Sequence, residues 1–202
     1  MLTTPLTLWF ALSAGLTPPK APVDTAVFAG GCFWGIEGVF EHTKGVISAT
    51  AGYAGGHTAS PSYEEVSSGE TGHAEAVRVV YDPSQVTYGQ LLAVFFTVAH
   101  DPTELDRQGP DQGTNYRSIA FYRDSIQHAA ITTFITGLER RHAYPNPIVT
   151  EVVALKVFYE AEDYHQHYME HHPDQLYIVY NDAPKVAHLK ETFPALYRDS
   201  WK

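Results

Sequence analysis

Apolar and polar positions along the chain mark out short strands and helices in alternation. Thr25–Ala29 is an apolar run of strand length, after which Phe33, Ile36, Val39 and Phe40 recur at helical spacing. Gly30-Gly31-Cys32 lies between, so a cysteine stands where a strand turns into a helix. Val46–Tyr53 alternates well enough for a second strand, and Ser62 is placed to cap a short helical turn over Tyr63–Ser67. Ala74–Tyr81 is the clearest strand: alternation puts Glu75, Val77 and Val79 on one face and Arg78 on the other. Thr87 caps a broadly apolar helix over Tyr88–His100, which His100-Asp101-Pro102 stops. Thr103–Tyr116 reads as a long polar loop and Ser118–Tyr122 as a strand. A helix capped by Asp124 or Ser125 runs to about His142, with Ile126, Ala129, Ala130, Phe134, Ile135 and Leu138 inward. Ile148–Leu155 is a further strand and Ala183–Pro194 a short amphipathic helix. No internal repeat is visible, and the order of elements predicts one α/β (α+β) domain, a mixed sheet with helices packed against it.

Composition narrows the class. A chain of 202 residues, 44% hydrophobic, can bury one sizeable core. A net charge of −10 argues against a nucleic-acid partner, which needs a basic face. The lone cysteine forbids an internal disulfide, so any redox cycle must draw its second thiol from outside. Leu6–Leu16 is an apolar run of signal-peptide length, too short for stable insertion across a membrane, with no Lys or Arg before it. Residues 1–22 are therefore expected to be an extension, either a signal peptide that sends the protein to the periplasm or a disordered linker on a cytoplasmic one. Residues 23–202 form the domain.

Candidate chemistry centres on Cys32. Backbone N–H groups at a helix start favour negative charge before them, so a thiol there is expected to ionise more easily, and the thiolate is the nucleophile. A small buried hydrophobe is the other reading of a free cysteine. Phe33 and Trp34 would form an apolar wall beside the sulfur. Glu75, sharing a face with two valines, would be partly desolvated, which raises a carboxyl pKa and makes a general acid; at a wet strand end or beside an arginine it would not. The long loop brings Asp111 and Tyr116 forward, although Pro110-Asp111-Gln112-Gly113 also has turn chemistry. Tyr63 by itself reads as packing. His167 and His171 would share a helix face near the C-terminal end of the 160–172 stretch, but no His-Glu-x-x-His pattern accompanies them, and no metal site is expected.

Gly31-Cys32-Phe33-Trp34-Gly35 resembles the signature of the A-type peptide methionine sulfoxide reductases. The likeness continues in order through Ala51-Gly52-Tyr53-Ala54-Gly55-Gly56, Ser62-Tyr63-Glu64-Glu65-Val66, Gly72-His73-Ala74-Glu75-Ala76, Tyr81-Asp82-Pro83, His100-Asp101-Pro102-Thr103, Asp111-Gln112-Gly113-Thr114-Asn115-Tyr116-Arg117-Ser118 and Ala161-Glu162-Asp163-Tyr164-His165-Gln166. The tail lacks the resolving cysteines and glycine-rich segment of many members, so the chain is similar to the single-cysteine branch.

The resemblance implies a ferredoxin-like core and an oxidoreductase that repairs oxidised proteins by reducing methionine (S)-sulfoxide, free or in proteins. It implies Cys32 as catalytic cysteine and Glu75 as acid, with Tyr63 and Tyr116 on the sulfoxide oxygen. Asp111 would order the polar shell, and Phe33 and Trp34 would box the methyl group. Cys32 would pass through a sulfenic acid resolved by an external thiol: thioredoxin, glutaredoxin or glutathione. No bound cofactor is expected, and the protein is expected to be a monomer. The chemical rivals are a thiol peroxidase or redox sensor, a non-catalytic binder of oxidised peptides, and a histidine metalloprotein.

Overall fold

The computed structural model describes residues 23–199. The extension expected over residues 1–22, signal peptide or linker, lies outside the described residues. Chain order runs β1 (Asp24–Ala29), α1 (Phe33–Glu41), β2 (Val46–Ala54), α2 (Tyr63–Ser67), β3 (Ala74–Tyr81) and α3 (Tyr88–Val94). A minimal hairpin follows, β4 (Arg107–Gln108) and β5 (Asp111–Gln112), then β6 (Ile119–Tyr122), α4 (Ser125–Arg140), β7 (Glu151–Ala154) and β8 (Phe158–Glu160). The last helices are α5 (Tyr168–His171) and α6 (Ala183–Thr192).

Six strands form one sheet in the order β7-β6-β1-β3-β2-β8, antiparallel throughout except for the parallel pair β6–β7. Its centre, β6-β1-β3-β2, is a ferredoxin-like split βαβ arrangement: β1 and β2 point the same way with β3 between them, and α1 makes the crossover. Strand alternation divides the core. Ala26 and Phe28 of β1 with Val77 and Val79 of β3 face the helices, while Val27 and Ala29 with Ala74 and Ala76 fill the other side. Glu75 has the parity of Val77 and so points at α1.

Several boundaries differ from the sequence reading. The helix from Tyr88 widens after Val94 into a π turn, Phe95–Ala99, and ends at an extended His100. The His100 ring stacks on Phe95, donates from Nδ1 to the Phe95 carbonyl at 2.9 Å, and accepts at Nε2 from the Ser118 hydroxyl at 2.7 Å. The 103–116 loop carries the β4–β5 hairpin and a 3₁₀ turn at Thr114–Tyr116. The strand expected over 148–155 is paired only over 151–154, and β8 was too short for its alternation to show. The 160–172 stretch is not one helix. A 3₁₀ turn, Asp163–His165, precedes α5, and His167 between them has φ +53°. Glu37 accepts the His167 N–H at 3.0 Å and Glu41 pairs with its Nδ1 at 2.5 Å, holding the break.

Helix α4 keeps most of its expected face: Leu138 is buried and Ala130, Phe134 and Ile135 pack against the core. Its first turn departs from it, with Ile126 79% exposed and Ala129 exposed while Gln127 and Ile131 are buried. Gln127 causes this. Its amide accepts from the Arg123 N–H at 3.0 Å and donates to the Thr25 carbonyl at 2.9 Å, stitching the helix start to β1. Asp124 is the cap, accepting from the N–H groups of Ile126 and Gln127. Ile131→Ala is therefore expected to lower unfolding stability by about 2–4 kcal/mol. Ile126→Ala should cost below about 0.5 kcal/mol. Urea denaturation of the two variants measures the contrast.

Candidate active site

The strand-to-helix turn builds the site. Gly31 takes φ +95°, and a Cβ there would meet the Gln108 side chain at 2.6 Å, so only glycine lets the β4 strand close over this turn. Cys32 follows as the N-cap residue of α1 and is 7% exposed. The next backbone N–H, that of Phe33, donates to Glu75 Oε2 at 3.0 Å. Strand β3 thus delivers a carboxyl group to the first turn of α1, one residue from the sulfur. Glu75 is 2% exposed. Burial pushes its carboxyl up to about 8, with Asp111 and Asp182 adding to the rise and the Phe33 N–H opposing it.

The expectation of an easily ionised thiol is corrected here. Burial raises the Cys32 thiol well above its ordinary value, and the negative charges of Glu75 and Asp182 raise it further. The Trp34 N–H and the Lys185 ammonium act the other way and do not prevail. The helix start is present, but desolvation outweighs it. The resting sulfur is a protonated thiol.

Tyr63, Tyr116 and Asp111 converge on the same place, brought by α2, the 114–116 turn and β5. Burial raises both phenols, and the charges of Glu75, Asp111 and Cys32 all act on each. Burial also raises Asp111, whose carboxylate accepts a hydrogen bond from the Tyr177 hydroxyl. The Glu162 carboxylate positions Tyr63, accepting from its backbone N–H at 2.9 Å and from the Tyr53 hydroxyl at 2.8 Å.

The apolar wall has a division of labour. Phe33 is 1% exposed and packs on Tyr53 and His165, while Trp34 is half-buried. Trp34 lies flat on Tyr168, centroids 3.7 Å apart at 7°, and meets Tyr177 edge-on at 6.0 Å. Its indole N–H donates to His165 Nδ1 at 3.2 Å. His165 is buried, which lowers its pKa, and its ring touches Phe33, Tyr63 and Tyr164.

Sequence reasoning missed His165, Tyr168 and Tyr177, which come from segments more than 130 residues from the cysteine. His165 stands in a stretch quoted for its resemblance; nothing local marks Tyr177. Cavity volume would not find the site either: two clefts of about 450 Å³, one beside Leu92 and Phe134 and one beside Pro61 and Tyr159, hold none of these groups. Among the described residues Glu37, Glu41 and His167 bring ligand-type atoms within 4.8 Å of one another. That cluster sits farther along α1 and ties it to the 163–171 segment.

A buried acid poised beside a cysteine that caps a helix, under an aromatic lid, defines a thiol-dependent oxidoreductase. The comparisons with known proteins make that specific. The family model "Peptide methionine sulfoxide reductase" matches residues 24–196, and the chain belongs to that family, as an enzyme of the A type. It is 54% identical over 176 residues to peptide methionine sulfoxide reductase MsrA 2 of Mesorhizobium japonicum, covering 87% of this chain and 90% of the relative. Among solved structures it is similar to methionine sulfoxide reductase A of Corynebacterium diphtheriae, at 36% identity and TM-score 0.71 over 80% of this chain and 81% of the other. It is similar also to reduced Mxr1 of Saccharomyces cerevisiae, at 31% identity and TM-score 0.71 over 80% and 92%.

Glu75 carries a stability cost with a definite sign. Its folded pKa, about 8, lies above the ordinary 4.5, so the stability it allows is fully present below pH 4.5 and is lost as pH rises through about 8. Glu75→Gln keeps an oxygen for the Phe33 N–H and removes the charge. The variant is expected to exceed the wild type in unfolding stability by roughly 2–4 kcal/mol near pH 8, with the gap closing near pH 4.5. Denaturation midpoints across this window measure it.

Proposed function

We propose that the chain reduces methionine (S)-sulfoxide, free and in proteins, through a Cys32 sulfenic acid. The observation that carries this reading is the Glu75 carboxyl, neutral at physiological pH and bonded to the N–H next to Cys32. A sulfoxide with its methyl group against Trp34 and Phe33 would turn its oxygen toward Glu75, Tyr63 and Tyr116. As Cys32 sulfur attacks the sulfoxide sulfur, Glu75 gives its proton to the oxygen and takes the thiol proton in exchange. The site's net charge stays constant, which suits two buried neutral acids better than a preformed thiolate would. The tyrosine hydroxyls hold the oxygen as its charge grows, and Asp111, tethered by Tyr177, orders the polar shell.

The first half-reaction moves one oxygen and two electrons. Methionine sulfoxide and the Cys32 thiol become methionine and a sulfenic acid. In the second, an external thiol displaces the hydroxyl as water and forms a mixed disulfide; a second thiol then frees Cys32 and leaves as disulfide. A chain with one cysteine must borrow both thiols. Thioredoxin, glutaredoxin and glutathione each supply them. Mxr1 is known in complex with Trx2, which makes a thioredoxin the first donor to try. The reading requires no bound cofactor.

Cys32→Ser is expected to abolish turnover of a methyl sulfoxide, and mass spectrometry of the wild type after substrate without reductant should find one added oxygen on Cys32. Retained turnover in the variant, or an unmodified Cys32 after stoichiometric methionine release, overturns the mechanism. The single-turnover rate should fall as pH rises through about 8, where Glu75 loses its proton. A Glu75→Gln variant that keeps the wild-type rate and pH limb would remove Glu75 as the acid.

A further inference from the structure

The last turn before α6 places a second pair of charges against the cysteine's helix. The π turn Ile178–Asp182 runs directly into α6, with Pro184 in its first turn. Asp182 is fully buried, and its Oδ1 accepts from the Lys185 ammonium at 3.1 Å. Its Oδ2 is buried without a hydrogen-bond partner among the described residues. Both groups press on Gly35: a Cβ there would stand 2.1 Å from Asp182 Oδ1 and 2.8 Å from Lys185 Nζ. Gly35 is the third residue of α1, so the ammonium and the carboxylate meet α1 on its first turn, directly after the N-cap residue Cys32.

The mechanism above uses neither group. The charges acting on the sulfur are Glu75 on β3 and Asp182 and Lys185 on the α6 approach, while Asp111 on β5 acts on Glu75, and the phenols of Tyr63, Tyr116 and Tyr177 feel the sulfur's charge in turn. Two of the groups on the sulfur are carboxyls, and Lys185 is the cation that acts on Cys32, Asp111 and His100 together. A free lysine would extend into water. Asp182 fixes this one, leaving its side chain 19% exposed.

We propose that Asp182 and Lys185 form a charge pair that controls Cys32, in which the buried carboxylate anchors the lysine as a positioning residue and the ammonium supports the sulfur whenever it carries negative charge. The sulfur does so twice: in the attack on the sulfoxide, and again as the group released from the mixed disulfide. In a chain without a resolving cysteine, a fixed cation beside the sulfur favours the second release by an external thiol. The proposal rests on Cys32 being the nucleophile, but its test does not rest on sulfoxide turnover.

The two members act on the sulfur with opposite sign, and that separates charge control from mere packing. The rate of Cys32 alkylation by iodoacetamide, followed from about pH 6 to about pH 10, reports the thiolate fraction directly. Lys185→Met is expected to move this profile up by about one pH unit; Asp182→Asn, which keeps an acceptor oxygen for the ammonium and removes the negative charge, to move it down; and Lys185→Arg to leave it near the wild type. Should Lys185→Met unfold by stranding a buried carboxylate, the neutral pair Asp182→Asn with Lys185→Met is the second variant, expected to return close to the wild-type profile. Shifts of Lys185→Met and Asp182→Asn in the same direction, or no shift in either, overturn the proposal. So does a double variant displaced as far as the worse single one. If sulfoxide turnover fails while the opposed shifts persist, the functional reading falls and the charge pair stands.

Discussion

One hydrogen bond joins the sheet to the chemistry, from the Phe33 N–H to the Glu75 carboxyl. A helix start leaves N–H groups without partners, and a buried one must find an acceptor. Here the acceptor is not the N-cap side chain, which is a thiol, but an acid from the third strand. Two opposed forces meet on that acid. The helix end favours its charged form and burial its neutral form. Burial wins, leaving a carboxyl that holds its proton up to about pH 8 and still accepts a bond. The register of β1 on β3, Val27 opposite Arg78 and Phe28 opposite Val77, sets the height at which Glu75 meets α1. A one-residue slip would turn Glu75 to the far face and end both functions of the bond.

The same burial forces a cost on the sulfur. A dry site strengthens every charge interaction within it, so two neighbouring carboxyls, Glu75 and Asp182, bear on one thiol without much solvent screening. Keeping Glu75 and Cys32 both protonated avoids two adjacent negative charges at rest. In the proposed reaction this leaves an exchange of protons among thiol, acid and sulfoxide oxygen. A preformed thiolate would have required stronger positive compensation than one lysine, itself half-neutralised by Asp182, provides.

Much of this was legible in the chain. The spacing of Phe33, Ile36, Val39 and Phe40 located α1, and the alternation in β3 put Glu75 on the inner face with two valines, because one face of each element is apolar. The caps Ser62, Thr87 and Asp124 were readable because their side chains act on neighbours three residues away. What failed depended on distant partners. Gln127 faces inward for the sake of Thr25 and Arg123, and that turned Ile126 out. His167 breaks its helix for two glutamates on α1. The thiol's high pKa follows from depth of burial, which a motif at a helix start does not reveal. Tyr177 and Lys185 lie in a tail with no pattern to flag them.

That tail bears on how a single-cysteine enzyme can work at all. Trp34 has neighbours at 165, 168 and 177, and Gly35 at 182 and 185, so the final third of the chain forms most of the wall around the first turn of α1. A tail that had to deliver a resolving cysteine would need to leave this wall, since the sulfur is nearly enclosed. Here it carries no thiol and instead packs: Leu189 is buried, Asp182 is buried, and Tyr177 is hydrogen-bonded to Asp111. Packing on that side holds Trp34 and the lysine against the first turn of α1, so a tail without a thiol still builds part of the site.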